Sequence, residues 1–136
     1  MNADKAFLDT NILVYAFTSD EPDKKETALS LFDSCLPVIS TQVIREFSNV
    51  LLKKTDYDSE VIKTVIGDIT SVSEITLEDI SCISYAIDLH EQYEYSFYDS
   101  LILSSALKSN CSILVSEDFQ NGQIIDNRLR IHNPFV

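Results

Sequence analysis

Four acidic residues stand where the surrounding pattern does not ask for a surface acid. Asp9 follows the apolar run Ala6-Phe7-Leu8 and precedes Thr10 and Asn11. Glu46 lies inside TQVIREFSNVLLKK, and Asp118 closes the run SILV-Ser116-Glu117-Asp118. Asp99 sits three, four and seven residues before Ile102, Leu103 and Ala106, in line with an apolar helical face. Each acid has an ordinary explanation when taken singly. Asp9 can cap a helix, Glu46 can pair with Arg45 or Lys53, Asp99 can complete a capping box with Ser96, and Asp118 can serve a turn. Gathered in one place, however, carboxylates repel and hold each other's protons unless a cation intervenes. Hard divalent ions with oxygen ligands, Mg²⁺ or Mn²⁺, suit such a cluster. Phosphodiester hydrolysis is the chemistry such a site supports.

The flanking elements decide whether the acids can meet. Ala6 to Leu8 is too short for a helix and too apolar for an exposed loop, so it reads as a buried strand. Thr10 or Asn11 then caps a short helix carrying Ile12, Leu13 and Phe17. Pro22 suits the first position of a helix reaching about Cys35, and Val38-Ile39 is a second strand. From Thr41 to Lys54, Val43, Ile44, Phe47, Val50 and Leu51 share one helical face. Glu46 lies about 40° beyond Val50, at the edge of that face.

A helix capped by Asp58 or Ser59 runs through Ile69, and Val72 to Ile75 is a weak third strand. Thr76 and Asp79 have capping-box spacing ahead of a helix through Ile80 to about Tyr93. Ser96 opens the helix that carries Asp99. Ser112 to Val115 is a fourth strand, residues 119–125 form a loop or short turn, and Leu129 to His132 is the last strand. Strands alternating with helices predict an α/β fold with a mostly parallel sheet. Right-handed crossovers would bring all four acids to one edge of it.

Composition narrows the class. A length of 136 residues with 45% hydrophobic residues predicts one domain spanning 1–136 with a substantial core. The N-terminus shows no basic region followed by an apolar run, and no stretch approaches membrane-spanning length, so a cytoplasmic protein is expected. Cys35, Cys82 and Cys111 have neither disulfide nor zinc spacing and read as free thiols. His90 and His132 have no partner at catalytic spacing. The aromatic run Tyr93, Tyr95, Phe97 and Tyr98 reads first as core and interface filler, with base stacking as the alternative. The net charge of −12, from 22 acids and 10 bases, fits nucleic-acid binding poorly. Arg45, Lys53 and Lys54 are the nearest candidates for phosphate contact.

FLDTNILVY, Glu46 in VIREF, YDSLILSSAL, ILVSEDF and the closing RIHNPF together resemble the PIN-domain ribonucleases, most of all the VapC-like toxins. The resemblance covers nearly the whole chain in order, and its first and last motifs are the most specific. It implies a three-layer α/β/α sandwich with a mostly parallel central sheet, often a homodimer. It also implies an Mg²⁺- or Mn²⁺-dependent endoribonuclease. Its substrate would be transfer RNA or other structured RNA, and a cognate antitoxin would hold it inactive. The family's acidic quartet falls on Asp9, Glu46, Asp99 and Asp118. Asp9 and Asp99 would hold the main metal, Glu46 would position it or the attacking water, and Asp118 would complete the site or hold a second ion. The family's polar helpers fall on Thr10 or Asn11, and on Ser116. Glu117 adjoins Asp118, and the spacing after ILV favours Asp118 as the one facing the metal.

Two other readings stay open. One is a non-catalytic binding module on the same fold, motivated by the acidic surface. The other is an aspartyl-nucleophile phosphohydrolase built on Asp9, which lacks an acid two residues on and an obvious lysine.

Overall fold

The computed structural model describes residues 4–18 and 20–136. Residues 1–3, on which the leader-free reading of the N-terminus partly rests, lie outside the described residues. β1 (Lys5–Leu8) is followed by α1 (Thr10–Thr18), α2 (Pro22–Ser34), β2 (Leu36–Ser40), α3 (Thr41–Lys54) and α4 (Ser59–Ser71). Then come β3 (Glu74–Thr76), α5 (Ile80–Tyr93), α6 (Phe97–Lys108), β4 (Ile113–Val115), β5 (Ile124–Ile125) and β6 (Leu129–His132).

The sheet order is β3-β2-β1-β4-β6-β5, parallel throughout except for β5, which runs antiparallel to β6. Helices flank it in two groups: α1 packs on α2 and α3, α3 on α4, and α5 on α6. The expected α/β architecture with a mostly parallel sheet is therefore present. Phe7, Leu8, Val38, Ile39, Leu114 and Ile131 are fully buried strand residues, as expected for strands covered on both faces.

Pro37 sits inside β2, an internal strand, where a missing N–H would normally break the ladder. The Leu36 amide donates to Asp4 on the β1 side at 2.8 Å, so the Pro37 nitrogen faces the other side. There β3 pairs only from Val38 onward, and no ladder bond is lost.

Local expectations fail in four places. Helix α1 begins at Thr10 itself, so Asp9, not Thr10 or Asn11, occupies the residue before it; the Ile12 amide donates to the Asp9 carbonyl at 3.0 Å. The third strand starts at Glu74, because Val72 closes α4 with an amide bond to the Ile69 carbonyl. Thr76 belongs to β3, and Asp79 caps α5 alone by accepting from the Cys82 amide at 2.8 Å. Finally, the stretch expected as loop contains β5, which is too short for alternation to reveal.

Helix α6 is buried from Ser100 to Leu107, wider than the single face its leucines suggest. Its serines permit this. Ser104 Oγ donates to the Cys82 carbonyl at 2.7 Å, satisfying itself within the α5–α6 contact. All three cysteines are free, Cys82 and Cys111 buried and Cys35 partly so. Burial pushes the Cys111 thiol up to about 12, which keeps it protonated and inert.

Candidate active site

β1 has β2 on one side and β4 on the other, so the chain order reverses at its edge with β4. In open α/β sheets ligand sites form outside the carboxyl ends of strands at such a reversal. Leu8 pairs with Val115, and the Asp9 amide donates to the Val115 carbonyl at 3.1 Å. The sheet ladder thus sets Asp9 beside Ser116 just past the strand ends. Ser116 is held in turn by its amide bond to the His132 carbonyl, also 3.1 Å.

A cavity of about 310 Å³ opens at this point, lined by Asp9, Glu46, Asp99 and Asp118. Each arrives from a different element. Asp9 ends β1, Glu46 is in the second turn of α3, Asp99 in the first turn of α6, and Asp118 follows β4. Thr10, Asn11 and Gln42 share the lining. The structure therefore brings all four predicted acids to one space, with Thr10 and Asn11. Ser116 is fully buried behind Asp9 and reaches the site through that carboxylate.

Hydrogen bonds fix these groups. The Asp9 carboxylate accepts from the Thr10 amide at 2.7 Å through Oδ1 and from Ser116 Oγ at 2.7 Å through Oδ2. Ser116 Oγ also accepts from the Asp118 amide at 3.1 Å, so one hydroxyl links both acids. Asn11 Nδ2 donates to Asp118 Oδ2 at 2.7 Å. Gln42 Nε2 donates to Glu46 Oε1 at 3.1 Å, and neither Arg45 nor Lys53 pairs with that acid. The Asp99 amide donates to Ser96 Oγ at 3.1 Å, the same Ser96 side chain favours the ionised Asp99 carboxylate, and Asp99 lines the cavity.

Glu117 turns the other way. Its Oε1 accepts from Tyr15 Oη at 2.5 Å and its Oε2 lies 3.4 Å from Lys24 Nζ. Lys24 also sits 4.5 Å from the centre of the Tyr15 ring. The pair Glu117-Asp118 is thus split: Glu117 closes a structural network and Asp118 lines the cavity.

Burial is the main reason that the Asp9 carboxyl is raised from 3.8 to about 6. Its bonds to Ser116 and Thr10 oppose the shift, while Asp118 and Glu46 add to it by charge repulsion. Asp99 is also raised, first by burial and further by Asp118, with Ser96 opposing. Asp118 thus acts on both Asp9 and Asp99, and Glu46 acts on Asp9.

The donor set is oxygen-rich, without sulfur or imidazole, which is what Mg²⁺ or Mn²⁺ prefers. Two buried oxygens of cavity residues, Thr10 Oγ1 and Gln42 Oε1, have no hydrogen-bond partner among the described residues. Buried polar atoms are rarely left so, and a hydrated cation is one group that would engage them. Among the described residues, no group of three or more acidic, histidine or cysteine side chains is drawn tight enough to hold an ion as it stands. Asn11 and Gln42 hold Asp118 and Glu46 in their present positions. The site fits a hard cation in donor chemistry, with side-chain rotation needed to close around it.

Sequence reading missed Gln42. Its spacing of four residues before Glu46 on one helix face was the available signal. It also missed Glu78, whose carboxylate accepts from Thr41 Oγ1 at 2.5 Å and from the Gln42 amide at 2.9 Å. That carboxylate satisfies the amino end of α3, which carries Glu46.

Ser116→Ala strips the hydroxyl that joins Asp9 and Asp118, leaving a buried carboxylate oxygen and an amide without partners. The expected loss of stability is about 1–3 kcal/mol, read as a lower urea midpoint. An unchanged midpoint would show that the linkage is not formed.

The PIN domain family's sequence model matches residues 6–121. The chain belongs to the PIN domain family. No curated protein matches it significantly. Among solved structures, this PIN domain is similar to a toxin–antitoxin complex from Klebsiella pneumoniae, with TM-score 0.72 and 18% identity over 95% of this chain and 97% of that one. It is also similar to VapBC2 from Rickettsia felis, solved bound to a DNA fragment from their promoter. That match has TM-score 0.69 and 24% identity over 95% and 99% of the two chains. VapC20 from Mycobacterium tuberculosis, a Sarcin-Ricin loop cleaving toxin, aligns with TM-score 0.65 and 17% identity over 80% and 86%. At these identities the likeness is one of fold. No helix among the described residues is long and apolar enough to cross a membrane.

Proposed function

We propose that this PIN domain is a divalent-metal-dependent endoribonuclease and the toxin of a toxin–antitoxin pair. The observation that carries the reading is the convergence of Asp9, Glu46, Asp99 and Asp118 on one cavity at the strand ends. The catalytic assignment is all four acids, with Asp9, Asp99 and Asp118 as metal ligands and Thr10, Asn11 and Ser116 in support. Similarity to toxin–antitoxin complexes supports the partner class, a cognate antitoxin, and similarity to a toxin that cuts the Sarcin-Ricin loop supports structured RNA as substrate. A homodimer is part of the same proposal.

A bound Mg²⁺ or Mn²⁺ would neutralise charge on the scissile phosphate and acidify a water. The chain's own residues prepare the place for it. Ser116 and the Thr10 amide orient the Asp9 carboxylate and favour its ionised form. Asn11 aims Asp118, and Gln42 aims Glu46, the exposed acid that α3 contributes to the cavity. Glu46 is placed to orient a water or accept its proton. The aspartyl-nucleophile reading loses ground, since neither lysine nor arginine lines this cavity among the described residues.

The test is cleavage of structured RNA by the purified chain with Mn²⁺, with Mg²⁺ and with EDTA. Metal-dependent internal cuts support the reading, and their absence at saturating metal favours the binding module. The neighbouring acids offer an internal control. Asp118→Asn is expected to lower the rate by about tenfold to a hundredfold, the usual range for disturbing a metal's environment. Glu117→Gln should stay within about threefold. A larger loss for Glu117→Gln than for Asp118→Asn would reverse the assignment.

A further inference from the structure

The aromatic run at the α5–α6 junction divides in two. Tyr93 and Tyr95 belong to the interior: Tyr93 Oη accepts from the Asp126 amide at 2.9 Å, and Tyr95 Oη donates to Gln123 at 2.5 Å. Tyr98 does not. It leaves 67% of its surface exposed, although it stands one residue from Asp99. Its ring is braced edge-on by Phe97, with centres 5.4 Å apart and planes at 71°. A large aromatic surface held in water beside a polar cavity gains nothing for the core, so packing does not explain it.

A second cavity of about 410 Å³ adjoins the acidic one, lined by Gln42, Arg45, Glu46 and Tyr98. Gln42, Glu46 and Tyr98 line both, so the two spaces run into each other. Arg45 forms no ion pair among the described residues. In a chain with 22 acids and 10 bases, an unneutralised guanidinium against an acidic cavity is a local exception. A flat aromatic face and a planar cation are the two groups that recognise a nucleotide without reading its sequence.

We infer that this cleft receives an unpaired RNA nucleotide next to the phosphate that enters the acidic cavity, its base stacked on Tyr98 and its flanking phosphate held by Arg45. The inference rests on the nuclease reading of the acidic cavity. It selects among RNAs. A base within a helix has both faces covered by neighbours, so stacking on Tyr98 requires a loop, a bulge or a single strand. It also answers the net charge of −12. Affinity comes from one ring and one well-placed cation rather than from a broad basic field, so binding should depend only weakly on salt.

The chain carrying Asp9→Asn, which should bind RNA without cutting it, is titrated in Mn²⁺ into a short fluorescein-labelled single-stranded RNA. A second probe carries 2-aminopurine, whose fluorescence falls on stacking. Adding Tyr98→Ala is expected to raise Kd by about tenfold to a hundredfold and to abolish the fluorescence loss. Tyr98→Phe, which keeps the ring, restores most of both, a recovery that a merely structural defect in Tyr98→Ala does not predict for the stacking signal. Arg45→Gln should reduce the log–log salt slope by about 0.7, the value for one single-strand phosphate contact. Fully paired RNA of the same sequence should bind more weakly.

Parental Kd and fluorescence loss in Tyr98→Ala would overturn the inference. So would an altered sedimenting mass with unchanged RNA affinity, which would make the cleft a contact between copies. Failure of the nuclease reading looks different: the unsubstituted chain cuts no RNA in Mn²⁺, while the titrations still report on the cleft.

Discussion

Asp9→Asn is expected to lower metal-dependent RNA cleavage by about 10²–10³-fold while making the metal-free protein more stable at pH 7.5. The two effects have one cause. Asp9 is 5% exposed, and two further carboxylates, Asp118 and Glu46, act on it electrostatically. Its negative charge is unfavourable for the fold, and in the proposed function a cation would use it. A metal's stabilisation of charge on a phosphate is worth several kcal/mol, which sets the expected loss of rate. Asparagine keeps an oxygen to accept from the Thr10 amide and removes the charge. A thermal melt in EDTA beside a cleavage assay in Mn²⁺ reads both. A variant both inactive and less stable would reduce Asp9 to a structural cap, and an active variant would remove it from the mechanism.

The second large effect is a pH dependence of stability with a sign unusual for an acid. Most carboxylates are more acidic when folded, and stability falls as pH drops. Asp9 is raised from 3.8 to about 6, so between these values the folded chain holds a proton that the unfolded chain has lost. Stability therefore decreases as pH rises through this window and levels off above it. The full span corresponds to about 3 kcal/mol, of which about 1–1.5 kcal/mol lies between pH 5 and pH 7.5. Asp99 shifts in the same direction.

Urea titrations of the metal-free chain across this range, with Asp9→Asn as the reference, isolate the Asp9 contribution from that of every other group. The difference between the two proteins should shrink as pH falls. Mn²⁺ should stabilise the unsubstituted chain strongly at pH 7.5 and much less at pH 5, because metal and proton compete for one carboxylate. A stability difference independent of pH would show that Asp9 is not the raised group. Equal stabilisation by Mn²⁺ at both values would place the ion elsewhere.

Ser116 connects these results. It lowers the Asp9 pKa by donating to it and holds the Asp118 amide through the same hydroxyl. A carboxylate that is to hold a cation needs its orientation fixed by a bond of this kind. Glu78 acts one step further out. Its carboxylate satisfies the first turn of α3, the helix that presents Gln42 and Glu46, so it supports the site through backbone geometry rather than by contact with substrate.

What the sequence determined by itself was everything governed by local repetition. The apolar runs at Ala6-Phe7-Leu8 and Ile113-Leu114-Val115 specify buried strands because only sheets covered on both faces demand such runs. The spacing of Val43, Phe47 and Leu51 specifies the buried face of α3 and puts Glu46 beyond its edge, exposed but on the cavity side. Asp99, aligned with Ile102 and Ala106, had to point inward along α6. The sequence placed Asp9 at a strand end and Asp99 on a buried helical face, and both line the one cavity.

Only the tertiary structure decided the rest, because it depends on residues far apart in the chain. The choice between Glu117 and Asp118 was made by Tyr15 and Lys24 drawing one away and Asn11 holding the other. Both lie past the end of β4, where alternation no longer dictates direction. Residues 124–125 became a strand because β6 supplied the partner, and Asp9 took the position before α1 because the β1–β4 ladder extends one residue past Leu8. Tyr98 and Arg45 line one cleft from two helices, a juxtaposition with no periodic trace in the sequence. Repeating patterns determine which face of an element is buried; packing between elements determines which neighbours that face will meet.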